Sequence, residues 1–240
     1  MDDQIYSIWV YLAQTPLLWL TATVGVYQLA ATLWRRIGAP PLLNPVLIAI
    51  IVLVTVLLIT ETPYQAYFDG AQFVHFLLGP ATVALAVPLY HASAKLQRVL
   101  LPGIGALVLG ATVGILSGVL IGRAVGLGDE TLRSLAPRSI TSPIAMGVAD
   151  AVGGLPSLTA VLVILTGMTG ALLAREALDL LRLRDQSVRG FAIGLASHGL
   201  GTARALQLNP EAGAFAGLAM GLNGAMTALL VPPLLRLLGL

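Results

Sequence analysis

At 240 residues, 57% hydrophobic and 10% charged, with a mean hydropathy of +0.90, the chain is too apolar for water, where globular domains carry about 25% charged residues. A formal charge of +2 and a pI near 9.2 raise nucleic acid as a partner, but the basic residues fall between apolar runs, where positive charge sets topology, and nucleic-acid binding is set aside. The absence of cysteine excludes disulfides, thiolate catalysis, iron–sulfur clusters and cysteine-ligated zinc.

Residues 4–34, 37–60, 70–94, 99–122, 151–174 and 212–235 contain no Asp, Glu, Lys or Arg. Roughly 20 apolar residues cross a bilayer, so an all-α polytopic membrane protein is expected, a single membrane domain over 1–240. The start, Met1-Asp2-Asp3-Gln4, lacks the positive region of a cleaved signal, which points to a bacterial inner (plasma) membrane protein.

The first span falls within 15–34 and ends at Arg35-Arg36, which places the N-terminus outside. The second, 42–60, opens after Pro40-Pro41, residues suited to a helix start, and runs out to Glu61 and Asp69. A third over 71–92 returns to Lys95 and Arg98, and a fourth over 99–122 leads out to Arg123, Asp129, Glu130 and Arg133. Segment 137–152 is short and polar, and a clear span follows at 155–174. Keeping Arg175, Arg182, Arg184 and Arg189 inside requires 137–152 to be re-entrant. Spans 190–208, outward, and 212–235, returning to Arg236, complete a scheme with a cytoplasmic C-terminus.

Gly110, Gly114, Gly118 and Gly122 recur every four residues, as do Gly213, Gly217 and Gly221, and such stripes usually let helices approach closely in lipid. Each stripe follows an interrupted segment: Leu78-Gly79-Pro80-Ala81-Thr82 within 71–92, and Ser197-His198-Gly199-Leu200-Gly201-Thr202 within 190–208. Pairing 42–60 with 155–174, 71–92 with 190–208 and 99–122 with 212–235 gives an inverted repeat, 37–122 against 131–240. Its broken or re-entrant helices should meet near the midplane, the usual place of a transporter's site. A rival alignment matches Asn44-Pro45-Val46-Leu47-Ile48-Ala49 to Ser142-Pro143-Ile144-Ala145-Met146-Gly147.

Polar groups at membrane depth are costly and are functional candidates. Three clusters qualify: Asn44-Pro45; Pro137-Arg138-Ser139-Ile140-Thr141-Ser142-Pro143; and Ser197-His198-Gly199-Leu200-Gly201-Thr202-Ala203-Arg204. Arginine forks, hydroxyls and half-helix N-termini suit an anion, above all a carboxylate. The expected substrate-binding residues are therefore Asn44, Arg138, Ser139, Thr141, Ser142, His198, Thr202 and Arg204. Arg138 or Arg204 would take the carboxylate, and His198 would be the group for proton coupling. Pro45, Gly79, Pro80, Pro143, Gly199 and Gly201 would open the backbone. Cation transport would want buried carboxylates, and Asp150 alone lies near the core. Metalloprotease, nucleophile-elbow, Walker and dinucleotide motifs are absent, and adjacent Ser197 and His198 diverge on a helix; no enzyme activity and no cofactor or metal is expected.

Pro41-Leu42-Leu43-Asn44-Pro45, the stretch from Tyr67-Phe68-Asp69-Gly70 to Leu78-Gly79-Pro80-Ala81-Thr82-Val83-Ala84-Leu85-Ala86-Val87-Pro88-Leu89-Tyr90, Arg138-Ser139-Ile140-Thr141-Ser142-Pro143-Ile144-Ala145-Met146 and Ser197–Arg204 together resemble the LrgB/CidB family from about residue 20 onward. The resemblance implies an elevator-type, homodimeric transporter fold. It implies either transport of small monocarboxylates (glycolate, glycerate, lactate or pyruvate), as in the similar plastid glycolate/glycerate translocator, or an antiholin-like regulation of murein hydrolases and lysis beside an LrgA/CidA-like membrane partner.

Overall fold

A computed structural model describes residues 16–37, 45–77, 80, 83–84, 86–91 and 93–240, and it is helical without strands among them. The helices are α1 Pro16–Arg36, α2 Pro45–Ile59, α3 Tyr64–Phe76, α4 Ala86–His91, α5 Ser93–Ala124, α6 Asp129–Leu135, α7 Ser142–Ala151, α8 Pro156–Leu180, α9 Gln186–Leu208 and α10 Pro210–Leu237. Within α1, α5, α8 and α10 lie runs long and apolar enough to cross a membrane, and α2 is a shorter apolar helix; this is a helical, multi-pass membrane protein. Asn44, Gly79 and the Pro40-Pro41 helix start lie outside the described residues, as does the 78–82 break apart from Pro80. The expected third span does not begin at 71: α3 starts at Tyr64 and takes in Asp69, which had been expected in a loop.

The chain divides into two compact units, 1–84 and 85–240. The boundary falls inside the expected first repeat, and α5 belongs with the second unit. In the first unit α1 packs on both α2 and α3. Trp19, nearly wholly buried, meets Tyr67 edge-to-face at 5.7 Å, an arrangement that aligns ring edge with ring face.

The second unit carries two helical hairpins that point at each other. The first is made of α6, the run of turns over 136–141, and α7. Where α7 has come back, the Leu155 amide donates to Ser134 Oγ at 2.7 Å and Thr159 Oγ1 donates to the Ser134 carbonyl at 3.0 Å. Gly154 makes the return possible, since a Cβ there would lie 2.9 Å from the Ser134 amide. With 10 residues, α7 is roughly 15 Å long, half the thickness of a bilayer core. The hairpin's tip is packed by the buried set Ile140, Ala145 and Val163.

The second hairpin corrects an expectation. Segment 190–208 is not a span: the backbone of α9 turns at His198 (φ 40, ψ −133), and its two arms, 186–197 and 199–208, fold back on one another. A Cβ at Gly201 would lie 3.1 Å from the Ile193 carbonyl oxygen and 2.5 Å from Ser197 Cβ, whereas residues eight apart in one straight helix lie about 12 Å apart. The first arm runs alongside the start of α10, with Gly190 and Gly194 against the Ala212 and Ala216 carbonyls, while Leu206 on the returning arm lies against Gly213. A non-glycine residue at positive φ costs about 1–3 kcal/mol and persists only where its surroundings hold it. Here the His198 Nε2–H donates to the Val163 carbonyl at 2.9 Å and Thr202 Oγ1 donates to the His198 carbonyl at 2.8 Å.

Because α9 does not cross, the ends of the unit sort differently from the expected scheme. Lys95, Arg175, Arg189 and both feet of the second hairpin share one end; Arg123, α6, the start of α8 and the C-terminus share the other. Arg123 Nη2 donates to the Leu238 carbonyl at 2.9 Å. Arg236 therefore sits opposite Lys95, not beside it. Apolar clusters close both ends, Leu178, Ile193, Ala205, Ala212 and Ala216 at the first, and Ile115, Val119, Leu132, Ala136, Val231 and Leu235 at the second. The glycine stripes also differ from the expected helix contacts. A close backbone approach is made by Gly190 and Gly194 of α9 and, on α10, by Gly213 against Leu206, while Gly221 faces open space.

One cation ties down both feet of the second hairpin: Lys95 Nζ lies 2.8 Å from Asp185 Oδ2 and 2.8 Å from Glu211 Oε1. Asp185 is also the N-cap of α9, accepting from the Ser187 and Val188 amides. Its carboxyl is held well below the usual carboxylate range, first by Lys95 and then by the Ser187 hydroxyl. A depressed acid contributes stability that is present above its ordinary pKa and lost as pH falls through the depressed folded value. The expected result is a melting-temperature gap between wild type and Asp185→Asn, which keeps the cap but not the charge. That gap should be full above the ordinary carboxylate range, shrink as pH falls below it, and be gone only in strong acid. The groups are partly exposed and screened, so the gap is expected to be small; one that closes in mildly acid buffer contradicts the clamp.

Candidate anion site between the hairpin tips

Two opposed hairpins leave their ends at mid-depth, and a cavity of about 560 Å³ opens there, between α5, the first tip, α8, the second tip and α10. Its polar side chains are Arg138, Ser139, Thr166, Thr169, Ser197, Asn223 and Thr227; Val113, Leu162, Leu165 and Leu195 supply apolar wall. Arg138 rides on the non-helical chain of the first tip, which projects it off any helix face. Its Nη1 is buried and has no hydrogen-bond partner. Such an atom costs free energy, and a carboxylate suits the group that bears it, since guanidinium matches carboxylate geometry and charge. Just past it, the α7 N-terminus has Thr141 as N-cap without a side-chain cap bond, then Ser142 and Pro143 in its first turn. A helix N-terminus left so favours negative charge.

Asn223 joins the parts. It is 1% exposed, and its Nδ2 donates to the Leu195 carbonyl at 2.9 Å and to the Ser139 carbonyl at 3.4 Å, while Thr227 Oγ1 donates to its Oδ1 at 3.1 Å. The break at His198 takes helical partners away from carbonyls of the first arm, and Leu195 gains a donor from α10 instead. Gly167 and Gly170 of α8 receive the second tip: a Cβ at Gly167 would lie 2.5 Å from His198 Cε1, and one at Gly170 would fall on Ser197 Oγ.

Of the residues expected from the sequence, Arg138 and Ser139 line the cavity and Thr141, Ser142 and Pro143 stand at the adjoining helix start. His198, Thr202, Gly199 and Gly201 form the second tip, where His198 and Thr202 bond to backbone and do not line the cavity. Arg204 is not brought to Arg138: it lies on the returning arm, with Gln207 Oε1 at 3.5 Å and with Arg175 and Glu176 as charged neighbours. Pro45 opens α2 in the first unit. Asn223, Thr227, Thr166 and Thr169 were missed. Asn223 had a readable signal, a lone amide in the charge-free run 212–235.

Comparison with known proteins gives a family match over residues 23–237 to the LrgB-like family. The chain is 35% identical to the uncharacterized protein YxaC of Bacillus subtilis (strain 168), over 88% of this chain and 91% of that protein. It is 36% identical to the uncharacterized protein YwbG of the same organism, over 90% and 96%. It is 32% identical to the holin-like protein CidB of Staphylococcus aureus (strain N315), over 92% and 96%. No solved structure matches the chain.

Proposed function

The chain belongs to the LrgB-like family, and from that premise we propose that it is a secondary transporter of small monocarboxylates of the glycolate, glycerate, lactate or pyruvate type. The observation that carries the reading is Arg138, which lines a cavity between two opposed hairpin tips and whose Nη1, packed on Gly118, has no partner. Among the described residues the lining holds one cation, several hydroxyls and no carboxylate, which favours one negative charge per substrate, and a site at mid-depth suits access from either side in turn. Ser139, Ser197 and Thr227 would meet the substrate's hydroxyl or keto oxygen.

In this reading 137–152 is re-entrant. The sequence from hairpin to full-length helix, 129–180, is repeated in the opposite sense by 186–237, which gives the inverted arrangement nearer boundaries than 37–122 and 131–240. By the positive-inside rule the end bearing Lys95, Arg98, Arg175, Arg182, Arg184 and Arg189 faces the cytoplasm of a bacterial plasma membrane. The Arg35-Arg36 end of α1 does too, so both termini face outward. Homodimeric, elevator-type operation belongs to the same proposal.

The name holin-like of the Staphylococcus aureus relative favours a second reading, an antiholin-like regulator of murein hydrolase activity working with an LrgA/CidA-like membrane partner. The test is uptake of labelled glycolate, lactate and pyruvate into liposomes containing the purified protein, with and without a proton gradient, since His198 is the titratable group at the second tip. Saturable uptake, abolished in Arg138→Ala and kept in Arg204→Ala, is the expected result. Folded protein that carries none of the three acids rejects the transporter and leaves the regulator.

A further inference from the structure

Successive glycines of the α5 stripe lie one helical turn apart, about 6 Å, and each meets something different. At Gly118 a Cβ would fall on Arg138 Nη1; at Gly114 it would find nothing within 4 Å; at Gly110 it would fall on Leu195 Cδ2. Gly110 and Gly114 both line the cavity. A stripe used for helix contact would meet backbone, as Gly190 and Gly194 do against the Ala212 and Ala216 carbonyls. This one instead runs past a guanidinium, then empty space, then the side chain that closes it.

Resting on the monocarboxylate reading above, we infer that Gly118 and Gly114 determine specificity at that site: Gly118 admits the guanidinium, and Gly114 sets how long an acid fits behind its carboxylate. With the head group at Arg138, the tail lies along α5 past Gly114 toward Leu195, against Val113, Leu162 and Leu165. The space is not filled by a two-carbon acid, because 560 Å³ is the liquid volume of roughly twenty waters. The wild-type cavity therefore takes monocarboxylates longer than two carbons, and a side chain at 114 shortens the list without touching Arg138.

A helix prefers alanine or leucine to glycine and a Cβ at 114 meets nothing within 4 Å, so Gly114→Ala folds as wild type does and checks the larger Gly114→Leu, whose side chain extends from a position that lines the cavity. The experiment measures stabilisation of the purified protein against heat by glycolate, lactate, butyrate and hexanoate, which follows affinity. In Gly114→Leu, hexanoate and butyrate are expected to weaken by about tenfold or more, the scale of lost room for methylene groups, while glycolate is retained. Gly114→Ala gives a smaller shift in the same order, and Gly118→Ala weakens all four acids together. Wild type that responds to none of the acids overturns the carboxylate reading and this inference with it. Wild type that responds, with Gly114→Leu weakening all four equally or none, overturns the inference alone.

Discussion

Arg138→Met is expected to give a protein that resists heat better than wild type and no longer responds to carboxylates. Nη1 of Arg138 is buried without a partner. A buried polar atom left without a partner costs about 1–3 kcal/mol, and methionine follows much of the same stem without it. Recovering about 1–2 kcal/mol of that cost raises Tm by roughly 2–8 °C in a chain of this size. Saturating glycolate should raise the Tm of wild type and leave the variant unmoved. Arg138→Lys keeps the charge but not the planar fork, so it should bind weakly. An arginine that merely knits the first hairpin together predicts the opposite sign, and a variant that melts earlier, with or without acid, excludes a site built around this residue.

The largest loss of stability is expected at Gly194→Ala. The new Cβ falls on the Ala216 carbonyl oxygen, where neither partner has a rotamer to change, so the first arm of α9 must move off α10. Overpacking costs about 1–3 kcal/mol and more when backbone must shift, against about 1 kcal/mol gained in helix propensity. Gly221→Ala receives the same propensity gain and meets nothing within 4 Å, so it isolates the packing cost. Gly194→Ala should lower Tm and reduce the monodisperse fraction after purification, and Gly221→Ala should leave both level or improved. Equal Tm values in the two variants contradict the close approach of α9 and α10.

The helices that cross were legible because length and lack of charge suffice for them: α1, α5, α8 and α10 each fill an apolar run read from the sequence. Arg138 and Ser139 were legible because an arginine and three hydroxyls within seven residues have no apolar reason to be there. The fold-back of α9 was not. Two half-length arms add up to one span's worth of apolar residues, and hydropathy records no direction along the chain. The reversal sits in the φ and ψ of His198, a residue whose type does not demand it. Misreading it moved Arg236 to the wrong end and made Arg204 look equivalent to Arg138. The glycine stripe was visible, but spacing alone does not distinguish a stripe facing backbone from one facing a guanidinium and a void.

The Asn223 side chain donates to the carbonyl of Ser139, 84 residues earlier in the chain, and Thr159 donates to that of Ser134. A chain is made from its N-terminus, so the first hairpin is complete before Asn223 has been added. Irregular backbone is tolerated at membrane depth only where protein surrounds it. The first tip therefore waits, outside its final seat, until α8 and then α10 have been inserted. The site is among the last parts of the molecule to form, and a chain cut short before Asn223 leaves the membrane insertion machinery with its first tip still unsatisfied.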